Sequence, residues 1–353
     1  MNLGHGGNIE EIARTYNIKE EDIIDFSANI NPVGINKNVK NAMIDALDKV
    51  ERYPDITYHN LKKEISIFEN IDYNNIILGN GAAEVIFNIS RGLKPKNALI
   101  MAPTFGEYED SLRSVDCNIK YHILKEEFNL DDTLLKEINN DIDIIFICNP
   151  NNPTGVLTKK EYIKDVLEVS KKNNVTVVID ESFLDFVENK NDYSVIDLTS
   201  KYNNLIVVKS LTKVFAFPGI RIGYGITGNI DYINLINKVS IPWSINVVAN
   251  NGAICALREK DYIKDTVKYV KEENDFLYSK LREFNCLKVY KGAVNFILFK
   301  IDRDIDLKYE LLKYGILIRS CSNYNGLDEK YYRVAVRTRK ENEKLIDSLK
   351  KVL

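Results

Sequence analysis

The chain has 353 residues, 45% of them apolar and 28% charged, with 48 basic against 51 acidic side chains and a formal net charge of −3. That length buries a sizeable core and suits two domains, and charges of both signs spread along the chain leave no electrostatic footprint for nucleic acid or a membrane surface. The scattered Cys117, Cys148, Cys255, Cys286 and Cys321, without CxxC spacing, fit reduced thiols in a cytoplasmic protein rather than a disulfide framework or a metal site.

In chain order, the opening MNLGHGGNIEEIARTY lacks the basic and apolar regions of a signal peptide, and no apolar run approaches the roughly 20 residues that span a bilayer. Short apolar runs then recur at NNIILG (74–79), NALIMAP (97–103), DIDIIFICNP (141–150), VTVVIDES (175–182), NLIVVKS (204–210) and IRIGYGI (220–226). Amphipathic stretches such as TKKEYIKDVLEVSKKN (158–173) lie between several of them. This alternation predicts an α/β fold, with a mostly parallel sheet covered by helices on both faces. After residue 240 the pattern changes. A long helical stretch over 245–284 precedes LKVYKGAVNFILFKI (287–301), which reads as two strands broken at Gly292. A short helix, the strands GILIRS (315–320) and YYRVAVRT (331–338), and a C-terminal helix complete the chain. The expected division is an N-terminal arm over 1–40, a large domain over 41–240 and a smaller α+β domain over 241–353.

Ligands of a parallel sheet bind beyond the carboxyl ends of its strands, and unusual residues fall there repeatedly. GNGAAEVIF (79–87) opens a helix with a glycine turn, so the amides of Gly81, Ala82 and Ala83 make either an anion site or a plain helix start. Phe105, in APTFGEY, could stack on a planar ligand or fill the core. NPNNPTG (149–155) is a rigid turn that presents the Asn152 amide. Asp180 follows four β-branched residues, three of them apolar, and needs a cationic or N–H partner. Lys213, in SLTKVFAFPGIRIGYG (210–225), is either a solvated loop lysine or a desolvated amine suited to a Schiff base. With Ser210 and Arg221 nearby, this set matches pyridoxal phosphate: a phosphate turn, a stacking ring, an amide for the ring hydroxyl, a carboxylate for the pyridine nitrogen and an amine for the aldehyde. No GxGxxG or GxxxxGKS/T motif competes with it.

NPNNPTG, the strand-end aspartate and SxTKxFxxPGxRxGY resemble the fold-type I pyridoxal-phosphate enzymes of the aspartate aminotransferase superfamily, from about residue 25 to the C-terminus. The resemblance implies that Lys213 holds the cofactor aldehyde and returns protons, Asp180 pairs with the pyridine nitrogen and Asn152 with the ring hydroxyl. It puts Ser210, Arg221 and the amides of Gly81, Ala82 and Ala83 around the cofactor phosphate, with Phe105 stacked on the ring. Arg333 would grip the substrate carboxylate. Tyr53, in RYPD, would reach the phosphate of a partner subunit's cofactor, implying a homodimer with shared sites. Phe183 stands where family members often carry tyrosine, leaving the ring hydroxyl one donor short.

Two subgroups are similar to this chain: the L-threonine-O-3-phosphate decarboxylases of cobalamin biosynthesis and the histidinol-phosphate aminotransferases. HGGN (5–8), DFSANINPVG (25–34), PTFGEYE (103–109), LIRSCSNYNGL (317–327) and RVAVRTRKEN (333–342) favour the decarboxylases. The substrate would then be a phosphorylated amino acid, met by His5, Asn29, Arg319, Arg333 and Arg337 through charge-assisted contacts. Alternate residues of a strand share a face, which would put Arg337 beside Arg333; otherwise Arg337 forms a surface salt bridge. His59 and His122 show no comparable setting.

Overall fold

In the computed structural model, which describes residues 6–353, the runs IIFIC, TVVID and LIVVKS are buried at every position. That is the signature of central strands covered on both faces. In chain order the strands are β1 (Ile24–Asp25), β2 (Ile76–Gly79), β3 (Asn97–Ala102), β4 (Asn118–Ile123), β5 (Ile144–Cys148), β6 (Thr176–Asp180) and β7 (Leu205–Ser210). They continue as β8 (Gly223–Ile226), β9 (Leu287–Val289), β10 (Phe296–Ile301), β11 (Ile316–Leu317), β12 (Arg319–Ser320) and β13 (Tyr331–Ala335).

Seven strands form the large sheet in the order β2-β8-β7-β6-β5-β3-β4. The sheet is mostly parallel, as expected, with β8 alone antiparallel to both neighbours. Alternate side chains enter opposite layers. Val177, Ile179, Leu205 and Val207 join one core with Ile163, Val166 and Leu167 of the helix Lys160–Lys172. Val178, Ile206 and Val208 join another with Val85, Ile86 and Ile89 of the helix Ala82–Leu93 and Ile233 and Ile236 of the helix Ile230–Val239. Truncating any of these to alanine is expected to cost about 2–5 kcal/mol.

The smaller sheet, β12-β13-β10-β9, is antiparallel, and its core is sealed by the helices Lys260–Leu281 and Arg339–Val352. Between β11 and β12 the chain changes partners: β11 pairs in parallel with β1 of the N-terminal segment, whereas Arg319 of β12 faces Arg333 of β13. The predicted strand 315–320 is therefore two short ones, and the predicted helix 245–284 is two helices, Val247–Ala256 and Lys260–Leu281. Strand β4 was absent from the sequence reading. It is the edge strand beside β3, with polar residues interleaved and Ile123 exposed, so it lacks the continuous apolar run of its neighbours. No helix among the described residues is long and apolar enough to cross a membrane.

Candidate active site

A cavity of about 540 Å³ opens where the large sheet's strand ends meet the small sheet and the N-terminal segment. Parallel strands deliver Cys148, Asp180 and Ser210 to this edge through their last residues. Strand β8 contributes through its start instead, because it runs the other way, which brings Arg221 to the same rim.

The lining of the cavity includes Ala82, Ala83, Ser210, Thr212, Pro218, Gly219 and Arg221. The helix Ala82–Leu93 has Gly81 at its N-cap, with φ +90° and no side chain to cap the first amides. A Cβ on Gly81 would come within 2.7 Å of Arg221 Nη2, and one on Gly223 within 2.3 Å of the Ala82 nitrogen, so two glycines hold the cradle open. Ser210 Oγ and Thr212 Oγ1 lie 2.9 Å apart, and Arg221 Nη1 donates to the Pro218 carbonyl at 2.9 Å.

Two lysines stand near the end of β7, and their surroundings separate them. Lys209 points into the core, paired with Asp185 at 2.9 Å and Glu69 at 3.4 Å. Burial opposes its charge, but Asp185, Glu69 and Glu181 outweigh that and hold the ammonium above the ordinary lysine range. Lys213 faces the cavity with its Nζ 5.7 Å from the centre of the Phe183 ring. Burial, then Arg221 and Arg333, push its ammonium down to about 8 against the pull of Asp180. Only Lys213 is therefore poised to supply a neutral amine near pH 7.

Asp180 is fully enclosed. Tyr108 Oη donates to its Oδ2 at 2.8 Å and the Ser182 amide to its Oδ1 at 2.9 Å. Burial raises its pKa, opposed by the hydrogen bonds from Ser182 and Tyr108 and by Lys213. Phe105 and Phe183 supply aromatic surface to the same cavity. The NPNNPTG turn is held by its own asparagines: Asn149 exchanges hydrogen bonds with Thr158, and Asn151 Nδ2 donates to the Pro103 carbonyl at 3.0 Å. This leaves Asn152 facing the cavity, with its Oδ1 accepting from Arg333 Nη1.

The opposite wall is cationic. Arg319 and Arg333, 9% and 5% exposed, are direct partners across β12 and β13. Arg333 also donates to the Ser27 carbonyl at 2.9 Å, and Arg319 to Asn323 Oδ1 at 2.7 Å while lying 5.5 Å from the Tyr324 ring centre. Among the described residues neither guanidinium has a carboxylate partner. Like charges directly opposite on a sheet repel, so the pair is a ready receptor for anions. Asn29 lines the cavity too, and its buried Oδ1 has no hydrogen-bond partner among the described residues.

Two of the expected site residues, Arg337 and Tyr53, are not gathered into the cavity, and Gly81, beside the lining residue Ala82, keeps its amide on the Gly79 carbonyl at 2.8 Å. Arg337 lies past the end of β13, where strand alternation no longer governs side-chain direction. Its Nη2 bonds Glu341 Oε1 at 2.9 Å and its Nη1 the Asp25 carbonyl at 3.0 Å. Glu341 is there because it closes a capping box with Thr338 at the start of the last helix. The expected place of Arg337 beside Arg333 is thus corrected to an ion pair outside the cavity. Tyr53 is 82% exposed and packs against Trp243 at 5.0 Å between ring centres, away from this chain's own cavity. His5 lies outside the described residues. Conversely, the sequence reading passed over Tyr108, Tyr324, Ser27 and Thr212. Of these only Tyr108 carried a usable signal, three residues after Phe105 at the start of a helix and hence on the same side.

The uncapped helix start, the glycine-held cradle, the low-pKa lysine and the enclosed carboxylate fit pyridoxal 5′-phosphate in size and donor set. The chain belongs to the aminotransferase class I and II family, whose model matches residues 21–349. It is a pyridoxal-phosphate-dependent enzyme family. Among curated relatives, the threonine-phosphate decarboxylase of Salmonella typhimurium is 38% identical over 100% of this chain and 97% of its own length. The histidinol-phosphate aminotransferase of Methanococcus aeolicus is 34% identical over 99% and 95% respectively. The crystal structure of the histidinol-phosphate aminotransferase from Clostridium acetobutylicum superposes with a TM-score of 0.88 at 33% identity, covering 94% of this chain and 99% of that one.

Proposed function

We propose that the chain decarboxylates L-threonine O-3-phosphate to CO2 and an aminopropanol phosphate. The observation that carries this reading is the cross-strand pair Arg319 and Arg333, two buried cations at one cavity without carboxylate partners among the described residues. A substrate bearing both a carboxylate and a phosphate answers both charges. The similarity to the Salmonella decarboxylase supports the same substrate class. The second reading is transamination of histidinol phosphate, favoured by the aminotransferase relatives. Histidinol phosphate has one anionic group, so it would leave one guanidinium to a co-substrate.

Gly81, Ala82, Ala83, Ser210 and Arg221 would hold the cofactor phosphate, Phe105 would stack on the ring, Asn152 would meet its hydroxyl and Asp180 its nitrogen. Pyridoxal phosphate supplies an aldehyde for the substrate amine and an electron sink for a bond at Cα. Arg333 binds the substrate carboxylate and Arg319 the phosphate, with Asn29 beside them. Fixing both anionic ends fixes the torsion about Cα and thereby which bond breaks. The Cα–carboxylate bond breaks, CO2 departs without its bonding electrons, and Lys213 Nζ delivers a proton to Cα. Burial, then Arg221 and Arg333, lower the proton affinity of Lys213, which favours that delivery.

Tyr53 supports a homodimer with shared sites. It stands exposed in the same stretch of chain as Ile44, Leu47, Val50 and Ile56, each more than half exposed, apolar surface that a second copy would cover.

The test is to incubate the purified holoenzyme with L-threonine O-3-phosphate, without any 2-oxo acid, and measure released CO2. Sustained release is expected; no CO2 above the enzyme-free control would sink the decarboxylase reading.

A further inference from the structure

Tyr108 is one of the largest fully buried side chains, and the proposed chemistry leaves it without a task. It lies on the helix Glu107–Arg113, just beyond β3, and touches two members of the site. Its hydroxyl donates to Asp180 Oδ2 at 2.8 Å. Its ring meets the Phe105 ring edge-on, with centres 5.6 Å apart and planes at 83°. Behind it, Phe146 of β5 stacks against the same ring at 5.2 Å and 16°. One rigid side chain thus links the carboxylate that would face the cofactor ring's nitrogen to the phenyl ring that would cover its face.

We propose that Tyr108 is a positioning residue that keeps Asp180 a strong anionic acceptor for the ring nitrogen and fixes the tilt of Phe105. The inference rests on the cofactor placement proposed above. A carboxylate with no water around it takes up a proton unless donors favour its charged form. Asp180 has the Tyr108 hydroxyl on one oxygen and the Ser182 amide on the other. The other titratable groups facing it are Lys213 and Cys148. The Cys148 thiol is pushed up by burial, so it stays neutral. Tyr108 is also pushed up, by burial first and the Asp180 charge second, so it remains a donor across the working pH range. Without the hydroxyl, Asp180 binds a proton more tightly and competes with the ring nitrogen for it. With the ring less positive, Lys213 Nζ joined to the cofactor would hold its proton more tightly, and its protonation midpoint would rise.

Tyr108→Phe and Asp180→Asn holoenzymes, singly and combined, provide the test. Tyr108→Phe removes only the hydroxyl and keeps the ring contacts with Phe105 and Phe146. It should retain cofactor, leave KM within about two-fold, lower kcat about ten-fold as expected for a hydrogen bond to a charged group, and move the pH midpoint of the visible absorption band upward. In the Asp180→Asn background the same change should add little. If Asp180→Asn cripples turnover while Tyr108→Phe matches the parent in kcat and band midpoint, the inference fails and the cofactor reading stands. If Asp180→Asn itself changes neither, the cofactor reading fails and takes the inference with it. A Tyr108→Phe protein that no longer folds would also overturn it, since a positioning hydroxyl is not needed to build the core.

Discussion

On the large-sheet side of the cavity Asp180 is met by Tyr108 and Ser182 and Ser210 by Thr212, while the helix start presents its first amides uncapped. On the small-sheet side, Arg319 and Arg333 face each other across two strands, and among the described residues they meet only neutral acceptors. On the first wall Asp180 and Ser210 are held by neighbouring side chains and amides, and what stays open is the uncapped start of the helix Ala82–Leu93. The second is stable only because the surrounding fold over-determines it, since buried like charges cost free energy. A wall held in this way is a shelf for a resident cofactor. A wall left short of negative charge waits for a substrate.

Substitutions test that contrast, the most damaging first. Lys213→Ala should lose about a thousand-fold or more in turnover, with the visible cofactor band of the parent absent from the purified protein. Arg333→Ala should lower kcat/KM for threonine phosphate by about 10²–10³-fold, because it removes a desolvated, charge-assisted contact. Arg319→Met should cost about 100-fold in kcat/KM for the phosphorylated substrate. Its ligand-free melting temperature should hold or rise, since replacing one of two opposed buried cations by an apolar side chain is often neutral or stabilising by about 1–4 kcal/mol. A marked drop in melting temperature would contradict the account of that wall as strained.

Smaller effects bear on the other wall. Burial and the two arginines bring the Lys213 ammonium from its usual 10.5 down to about 8. The shift is downward, so the neutral amine that attacks the cofactor aldehyde accumulates as pH rises through about 8 rather than through 10.5. The rate at which cofactor-free protein regains its visible band should rise about ten-fold from pH 7 to 9 and then level off. A rate still climbing at pH 10 would place Lys213 in ordinary solvent. Arg337→Ala should have the least effect, under about 1 kcal/mol of stability and under about three-fold in kcat/KM, as for a partly exposed ion pair.

How much of this was legible in the sequence follows the same contrast. The strand-end residues of the large sheet could be read because a continuous apolar run ends abruptly in a polar residue, as in VVIDES and NLIVVKS. Asn152, Asp180, Ser210 and Lys213 all converge for that reason. The edge strand β4 was missed because its alternating polar residues resemble a loop. On the second wall, Arg333 could be placed by its match to the family motif, but extending strand alternation from it misplaced Arg337. The alternation stops at Ala335, and the Thr338–Glu341 capping box recruits the guanidinium instead. Threonine followed three residues later by glutamate was in plain view as a helix start and was the better guide. Tyr108 was hidden for another reason. Its partner Asp180 is 72 residues away, and no local pattern announces a hydrogen bond made through the fold.

The central claim is that the arginine wall selects a substrate carrying both carboxylate and phosphate and directs the break to the carboxylate bond. The most direct measurement offers one holoenzyme preparation L-threonine O-3-phosphate alone and, separately, histidinol phosphate with 2-oxoglutarate, recording CO2 and glutamate. The account predicts CO2 from the first at a kcat/KM far above any glutamate formation from the second. Glutamate from histidinol phosphate, with no CO2 from threonine phosphate, would contradict it.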